Sequence, residues 1–317
     1  MRKHRALLLA FAALAMLFAV FISLHPRGFS VYVITIWSNQ GVLLGLAAIA
    51  QFFVVLVRGI DLSVGSVVAL TNVAASYLLQ GSPAEIALGA IAVVALGALC
   101  GLANGAAVVF AGVQPIVATL ASGAIFGGVA LLLRPLPGGS IDDALSDRMT
   151  YDIHGVPTSL VILLAVTAIV TWPLRRTRLG LSMYAVGSAE AAAFLAGTRV
   201  ATAKLVAYAM GGVFAALTGL YVAMVTETGD AGIAPAYTLN SIAAVVLGGV
   251  PLSGGIGSPA GALIGALILK TVSSAMFFSG LPPLAQPFFE GLVLAIAILI
   301  GAVGIVRMRS RLEVFDR

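Results

Sequence analysis

Hydrophobic residues along this chain come in long unbroken runs, and the polar positions gather between them. The runs cover roughly residues 6–22, 31–57, 62–79, 84–111, 115–133, 160–174, 205–225, 239–250, 260–278 and 287–306. Most approach the ~20 apolar residues that a helix needs to cross the hydrocarbon core of a bilayer. The pattern predicts an all-α polytopic membrane protein of about ten transmembrane helices in one domain, residues 1–317. The 239–250 run is short and suits a half-helix, so some of these helices are expected to be broken.

Between the second and third runs lies a polar knot, Arg58-Gly59-Ile60-Asp61-Leu62-Ser63-Val64-Gly65-Ser66. At the centre of a membrane helix Arg or Asp each costs roughly 2.5–3.5 kcal/mol on insertion scales. Gly59 and Gly65 allow the backbone to leave helical geometry, and irregular backbone at membrane depth survives only when buried in protein or lining a cavity. Two readings stand: a turn at the cytoplasmic face, or a gate element of a pathway. Asp61 either caps the helix that begins near residue 62 or pairs with Arg58. An echo occurs at Gly249-Val250-Pro251-Leu252-Ser253-Gly254-Gly255, with four identities in seven. Two glycine-interrupted segments in corresponding halves point to a transporter site at a repeat interface. Counting spans puts both knots on one side, which a simple inverted five-plus-five repeat does not give. Either the echo is accidental or one knot lies within the membrane.

Composition sharpens this picture. The chain is 61% hydrophobic and 9% charged, with 36 glycines, which excludes a soluble globular domain. Helices in lipid associate through close backbone packing, and Gly97, Gly101 and Gly105, like Gly257, Gly261 and Gly265, recur every fourth residue as small packing faces. The net charge of +5 sits at run ends, as the positive-inside bias requires, and implies no nucleic acid. Arg2-Lys3-His4-Arg5 precedes a first run read as a retained span, with no small-x-small cleavage site after it. Five spans from an inside start leave the 134–158 loop, with Asp142, Asp143, Asp147 and Asp152, outside. The sixth returns to Arg175-Arg176-Thr177-Arg178, and the last ends at Arg307, Arg309 and Arg311, so both termini are expected in the cytoplasm. The single Cys100 and three unpaired histidines offer neither a disulfide framework nor a metal site. No phosphate-binding G-x-x-x-x-G-K-[ST] is present, and no Ser/His/Asp arrangement suggests a membrane-embedded enzyme. A gradient-driven transporter would need an ionisable relay, for which Asp61, Glu85 and Glu290 are a thin supply.

Several motifs, in order, carry a resemblance. Gly59-Ile60-Asp61-Leu62-Ser63-Val64-Gly65-Ser66 is similar to the signature of ribose-type permeases of bacterial ATP-binding-cassette (ABC) sugar importers. Asn104-Gly105, Gln114-Pro115-Ile116-Val117-Ala118-Thr119-Leu120, and Thr177-Arg178-Leu179-Gly180 to Tyr184-Ala185-Val186-Gly187 resemble further segments of that family. So do Ser241 to Gly249 and Leu252-Ser253-Gly254-Gly255-Ile256-Gly257-Ser258. The resemblance covers nearly the whole chain. It implies a non-enzymatic permease subunit in the bacterial inner membrane, surrounded by lipid and paired with a second permease, identical or different. Two ATPase subunits would bind ATP, so that this chain carries no cofactor, and a periplasmic binding protein would deliver a monosaccharide. A nucleoside or signalling sugar is the alternative cargo, and a gradient-driven carrier the alternative class.

Within that resemblance the coupling segment is about 175–204, where Gly187, Glu190, Ala192, Ala193 and Gly197 match the loop such permeases present to the ATPase. An ordinary solvated loop with an alanine-rich helix is the plainer reading of the same residues. For a neutral, hydroxyl-rich cargo the candidates are polar residues within apolar runs. The pathway set is Ser63, Ser66, Asn72, Asn104, Gln114, Thr119 and Asn240, while Arg58, Gly59, Asp61, Gly65, Ser253 and Gly255 form the gate motifs. Asn39, Gln51 and Thr71 share the pattern. Two departures from the family, Thr238-Leu239-Asn240 and Thr271-Val272-Ser273-Ser274, suit one member of an unlike permease pair.

Overall fold

The computed structural model describes residues 2–282 together with 285, 288, 289, 291, 292 and 295. Its helices are α1 (Arg2–Leu24), α2 (Val31–Leu56), α3 (Val64–Leu78), α4 (Pro83–Val109), α5 (Pro115–Leu133) and α6 (Asp143–Thr150). After a two-stranded antiparallel ribbon, β1 (Asp152–Ile153) and β2 (Val156–Pro157), come α7 (Thr158–Arg176), α8 (Arg178–Ser188) and α9 (Glu190–Leu195). The chain continues with α10 (Val200–Thr226), α11 (Ala234–Leu247) and α12 (Pro259–Phe278). The first nine apolar runs coincide with α1 to α5, α7 and α10 to α12. The tenth, with Glu290 and Arg307, Arg309 and Arg311, lies outside the described residues save for a few positions. Among the described residues, α2, α4, α5, α7, α10 and α12 are long and apolar enough to cross a membrane.

Burial runs opposite to that of a water-soluble bundle. α2 is the central post, 89% buried along its apolar window, and α7, α10, α11 and α12 pack around it. The windows of α4, α5 and α7 are only 22–28% buried. Leu88, Ile91, Leu120, Ile125 and Ile169 face outward, an apolar surface that water would not tolerate but that lipid solvates freely.

The glycines then set helix spacing. Gly97 and Gly101 lie against Gly212 and the Tyr208 carbonyl, so α4 and α10 run nearly backbone to backbone. The second glycine series is corrected by the structure. Gly261 and Gly265 lie on α12 and meet Gly248 and Ala244 of the α11 end, but Gly257 precedes Pro259 and sits in a loop at φ +125°.

Hydrogen bonds define the two ends of the bundle. At one, Tyr77 donates to the Leu133 carbonyl (2.8 Å), Gln80 to that of Ser140 (2.8 Å) and Asn39 to that of Thr150 (2.8 Å), gathering the acidic 134–157 loop. At the other lie the C-terminus of α2, α8, α9 and the 249–257 loop. The expected half-helix is α11: its 14 residues span about 21 Å. It starts beside the first turn of α3, because residues 228–233 fold back along that helix. There Asn72 donates to the Thr228 carbonyl (3.2 Å) and accepts from the Asp230 N–H (2.6 Å).

Candidate functional site

The site begins at the end of α2. Arg58 N–H donates to the Val55 carbonyl (3.0 Å) and Gly59 N–H to that of Val54 (2.9 Å). This paired bonding is a Schellman ending, whose turning residue adopts the left-handed conformation that normally calls for glycine. Here that residue is Arg58, at φ +67°. α9 and α11 end with the same pair of bonds, and there the turning residues are Gly197 (φ +79°) and Gly249 (φ +76°). The echo between the two halves is therefore structural, offset by one residue: Arg58 stands where Gly249 stands after α11.

Beyond the turn the chain re-enters the bundle. With its amide oriented to satisfy both ends, Gln51 donates to the Asp61 carbonyl (2.9 Å) and accepts from the Asp61 N–H (3.2 Å). Gln51 lies five residues before the last residue of α2, so Asp61 sits about 8 Å inside the helix end. Asp61 Oδ1 then accepts from the Ser63 N–H (2.7 Å) and Ser63 Oγ (2.6 Å), turning the chain into α3 at Val64. Neither reading of Asp61 holds as stated: the residue before α3 is Ser63, Asp61 closes a tight turn onto it, and Arg58 points elsewhere. Asn104 Nδ2 donates to Ser63 Oγ (2.7 Å), and Thr119 Oγ1 accepts from the Leu62 N–H (3.0 Å). Buried carboxyl, amides and hydroxyls thus cross-link α2, α3, α4 and α5 around one re-entrant turn. Two polar atoms in it, Asn104 Oδ1 and the Tyr208 hydroxyl, are buried without a partner; Tyr208 lies against Gly59.

The gate motifs meet at the outer edge of this turn. Arg58 Nε donates to the Gly187 carbonyl (2.7 Å) and Nη2 to the Ser188 carbonyl (2.7 Å), at the C-terminus of α8. Gly255 N–H donates to the Leu56 carbonyl (3.0 Å), Ser188 Oγ to the Gly255 carbonyl (3.2 Å) and Tyr184 to that of Gly257 (3.0 Å). Burial pushes the Tyr184 phenol above its ordinary range, against the opposing effect of Arg175, so it stays a donor at neutral pH. A side chain at Gly187 would overlap the Leu56 carbonyl, and one at Gly255 would meet Ser188. Both knots and the α8 end are therefore one junction. Its Arg58 edge is exposed, while Asp61, Ser63, Val64 and Gly65 behind it are buried in the protein.

From that junction α9 projects as six residues with Glu190 at its start, paired to Lys204 at 2.7 Å, and with Ala192, Phe194 and Leu195 exposed. Other candidates sit apart. Ser66 is half-buried against Gly123 and Gly127 of α5, and Gly65 against the Ala234 carbonyl of α11. Gln114 is exposed before α5, Asn240 half-buried on α11, and Ser253 in the 249–257 loop. At the second departure, Thr271 accepts from Trp37 Nε1 (2.9 Å), while Thr238 of the first faces Gly65. Sequence reasoning missed Tyr208 and Tyr184, whose only signal is a phenol within an apolar segment, and Lys204, which folding alone brings to Glu190.

Comparison with known proteins bears directly on this arrangement. A family described as branched-chain amino acid transport system / permease component matches residues 33–300. The chain is similar to the ribose import permease protein RbsC of Haemophilus influenzae, 34% identical over 297 residues, or 92% of this chain and 91% of that protein. It is 34% identical over 259 residues to the protein of the same name from Bacillus subtilis, covering 81% and 80% of the two chains. The D-allose transport system permease protein AlsC of Escherichia coli is 30% identical over 308 residues, covering 95% and 91%. No solved structure matches.

Proposed function

The chain belongs to the branched-chain amino acid transport system / permease component family, and on that premise we propose how it moves its cargo. It is the membrane permease subunit of an ABC importer for a monosaccharide, a transport component and not an enzyme. It works in the inner membrane with an ATPase and a periplasmic binding protein. The observation that carries this is the match of nine-tenths of the chain to a ribose import permease over nine-tenths of that protein's length. Relatives named for ribose and allose fix the cargo class, in preference to a nucleoside or a gradient-driven carrier.

Finer points belong to this proposal. The permease is one domain of about ten spans with both termini cytoplasmic, two permease copies line the route, and two ATPase subunits bind the ATP. The α8–α9 segment is the surface met by the ATPase. Three features support this: α9's exposed apolar residues, its glycine ending, and its attachment to the knot. Sugar contacts come from polar groups that the fold leaves at least partly exposed, with Ser66 and Gln114 first. Asn72, Ser63 and Thr119 already hold backbone or neighbouring side chains.

The test is uptake by proteoliposomes holding the complete transporter, with labelled ribose and allose supplied on the binding protein. Accumulation of at least one of the two that needs ATP is the expected result. Uptake that proceeds without ATP overturns the reading.

A further inference from the structure

We propose that Arg58 is a latch: it ties the buried turn at Asp61–Gly65 to the α8–α9 segment, and withdrawal of α8 frees that turn to rearrange. This rests on the reading of α9 as the surface met by the ATPase. Three observations carry it.

The first is the choice of residue. α2, α9 and α11 end with the same pair of backbone bonds, and α9 and α11 use glycine at the turning position. α2 uses an arginine at φ +67°, although a side chain there is strained and glycine is not. Strain at such a position persists only when the surroundings hold it in place.

The second is what holds it. The guanidinium fork reaches two consecutive carbonyls, those of Gly187 and Ser188, each at 2.7 Å. They lie at the C-terminal end of α8, where carbonyls lack helical partners and the helix dipole is negative, so a cation is doubly suited. The next residues are Ala189, the start of the turn into α9, and Glu190 itself. A displacement of α9 toward its partner therefore acts first on the two carbonyls that hold Arg58.

The third is the state of the turn behind the latch. Asn104 Oδ1 and the Tyr208 hydroxyl are buried there without partners, an arrangement that costs free energy for as long as it is kept. Tyr208 lies against Gly59, the residue after Arg58, and Asn104 holds Ser63. Strain at Arg58 and unpaired groups behind it both favour another arrangement once the fork lets go. The re-entrant turn is thus a two-state element, and the latch sets which state is held.

The experiment uses the complete transporter in proteoliposomes with Arg58→Gly and Arg58→Lys. Glycine removes the fork and also relieves the backbone strain, so purely structural support and a latch give opposite results. The expected Arg58→Gly protein co-purifies with the ATPase at the wild-type ratio and unfolds close to the wild-type temperature, because relief of the left-handed strain offsets the lost fork. It imports about tenfold less sugar per ATP hydrolysed, the scale set by losing a charge-assisted fork. Arg58→Lys keeps the charge without the fork and falls between the two. Wild-type import per ATP in Arg58→Gly overturns the latch. So does a loss of import that tracks lowered unfolding temperature in both variants, and so does loss of the ATPase from Arg58→Gly, which would make Arg58 a docking residue. Failure of the α9 reading is seen separately: full transport by a Glu190→Ala/Gly197→Ala protein removes α9 from coupling whatever Arg58 does.

Discussion

At the scale of single residues, the junction depends on side chains that are missing. Gly187 has the Leu56 carbonyl on one side and Gly255 on the other, both within the space a Cβ would take, and backbone atoms cannot turn aside as a side chain can. Gly187→Ala must therefore push α8 off the α2 end, at a cost of about 1–3 kcal/mol for overpacking. Gly128 in α5 is the control, since a Cβ there meets nothing within 4 Å. Thermal unfolding of the extracted chain should show a lowered midpoint for Gly187→Ala and none for Gly128→Ala. Equal midpoints for the two would mean that the junction yields without loss. The amides teach a different lesson. Asn72 and Asn104 stand out in the sequence because an amide in an apolar run needs partners, and the structure supplies them from the protein: Thr228 and Asp230 for Asn72, Ser63 for the Nδ2 of Asn104. Sequence shows that such a group must be satisfied but not by what, since its partners lie 41 to 158 residues away.

At the scale of elements, α9 is the clearest case of function separable from folding. Its pair, Glu190 with Lys204, is exposed enough that it contributes only about 0–1 kcal/mol. Gly197 has no neighbour within 4 Å, so alanine there costs only the local strain of a left-handed residue, roughly 1–2 kcal/mol. A Glu190→Ala/Gly197→Ala protein should insert and purify normally, bind its ATPase more weakly or hydrolyse ATP without moving sugar, and import little. Full import by this protein would remove α9 from coupling. That a short alanine-rich helix lies within 175–204 was legible in the sequence because a helix ended by a glycine at 197 is local information, although its start at Glu190 was not. The half-helix α11 was legible for the same reason, as an apolar run too short to span. What no local pattern gave is that residues 228–233 fold back along α3, since that depends on Asn72 waiting there.

At the scale of the whole molecule, span counting placed both knots on one side but could not say how deep either lies, because charge reports side and not depth. The structure puts Arg58 at the protein surface and Asp61 beside Gln51, with the second knot bonded to the end of α2. The same reasoning governs assembly. The family and the ribose import permeases it resembles make this chain a transport component whose ATP is hydrolysed in a separate subunit, so the free energy of transport arrives through a protein contact. The lightly buried faces of α4, α5 and α7 leave apolar surface that lipid can cover and that the proposed second permease can share. Gentle extraction of the tagged chain from its native membrane should therefore retain an ATPase, and with it a second permease copy. If mass spectrometry of the retained complex finds this chain as its sole permease, the route is built on a homodimer. If it finds a second, similar permease, polar roles are divided between unlike halves, and Thr238-Leu239-Asn240 and Thr271 to Ser274 become the natural places to look for that division. Folded chain that transports in vesicles while free of any ATPase would overturn the assembly, and with it the argument that the α8 end is where energy enters.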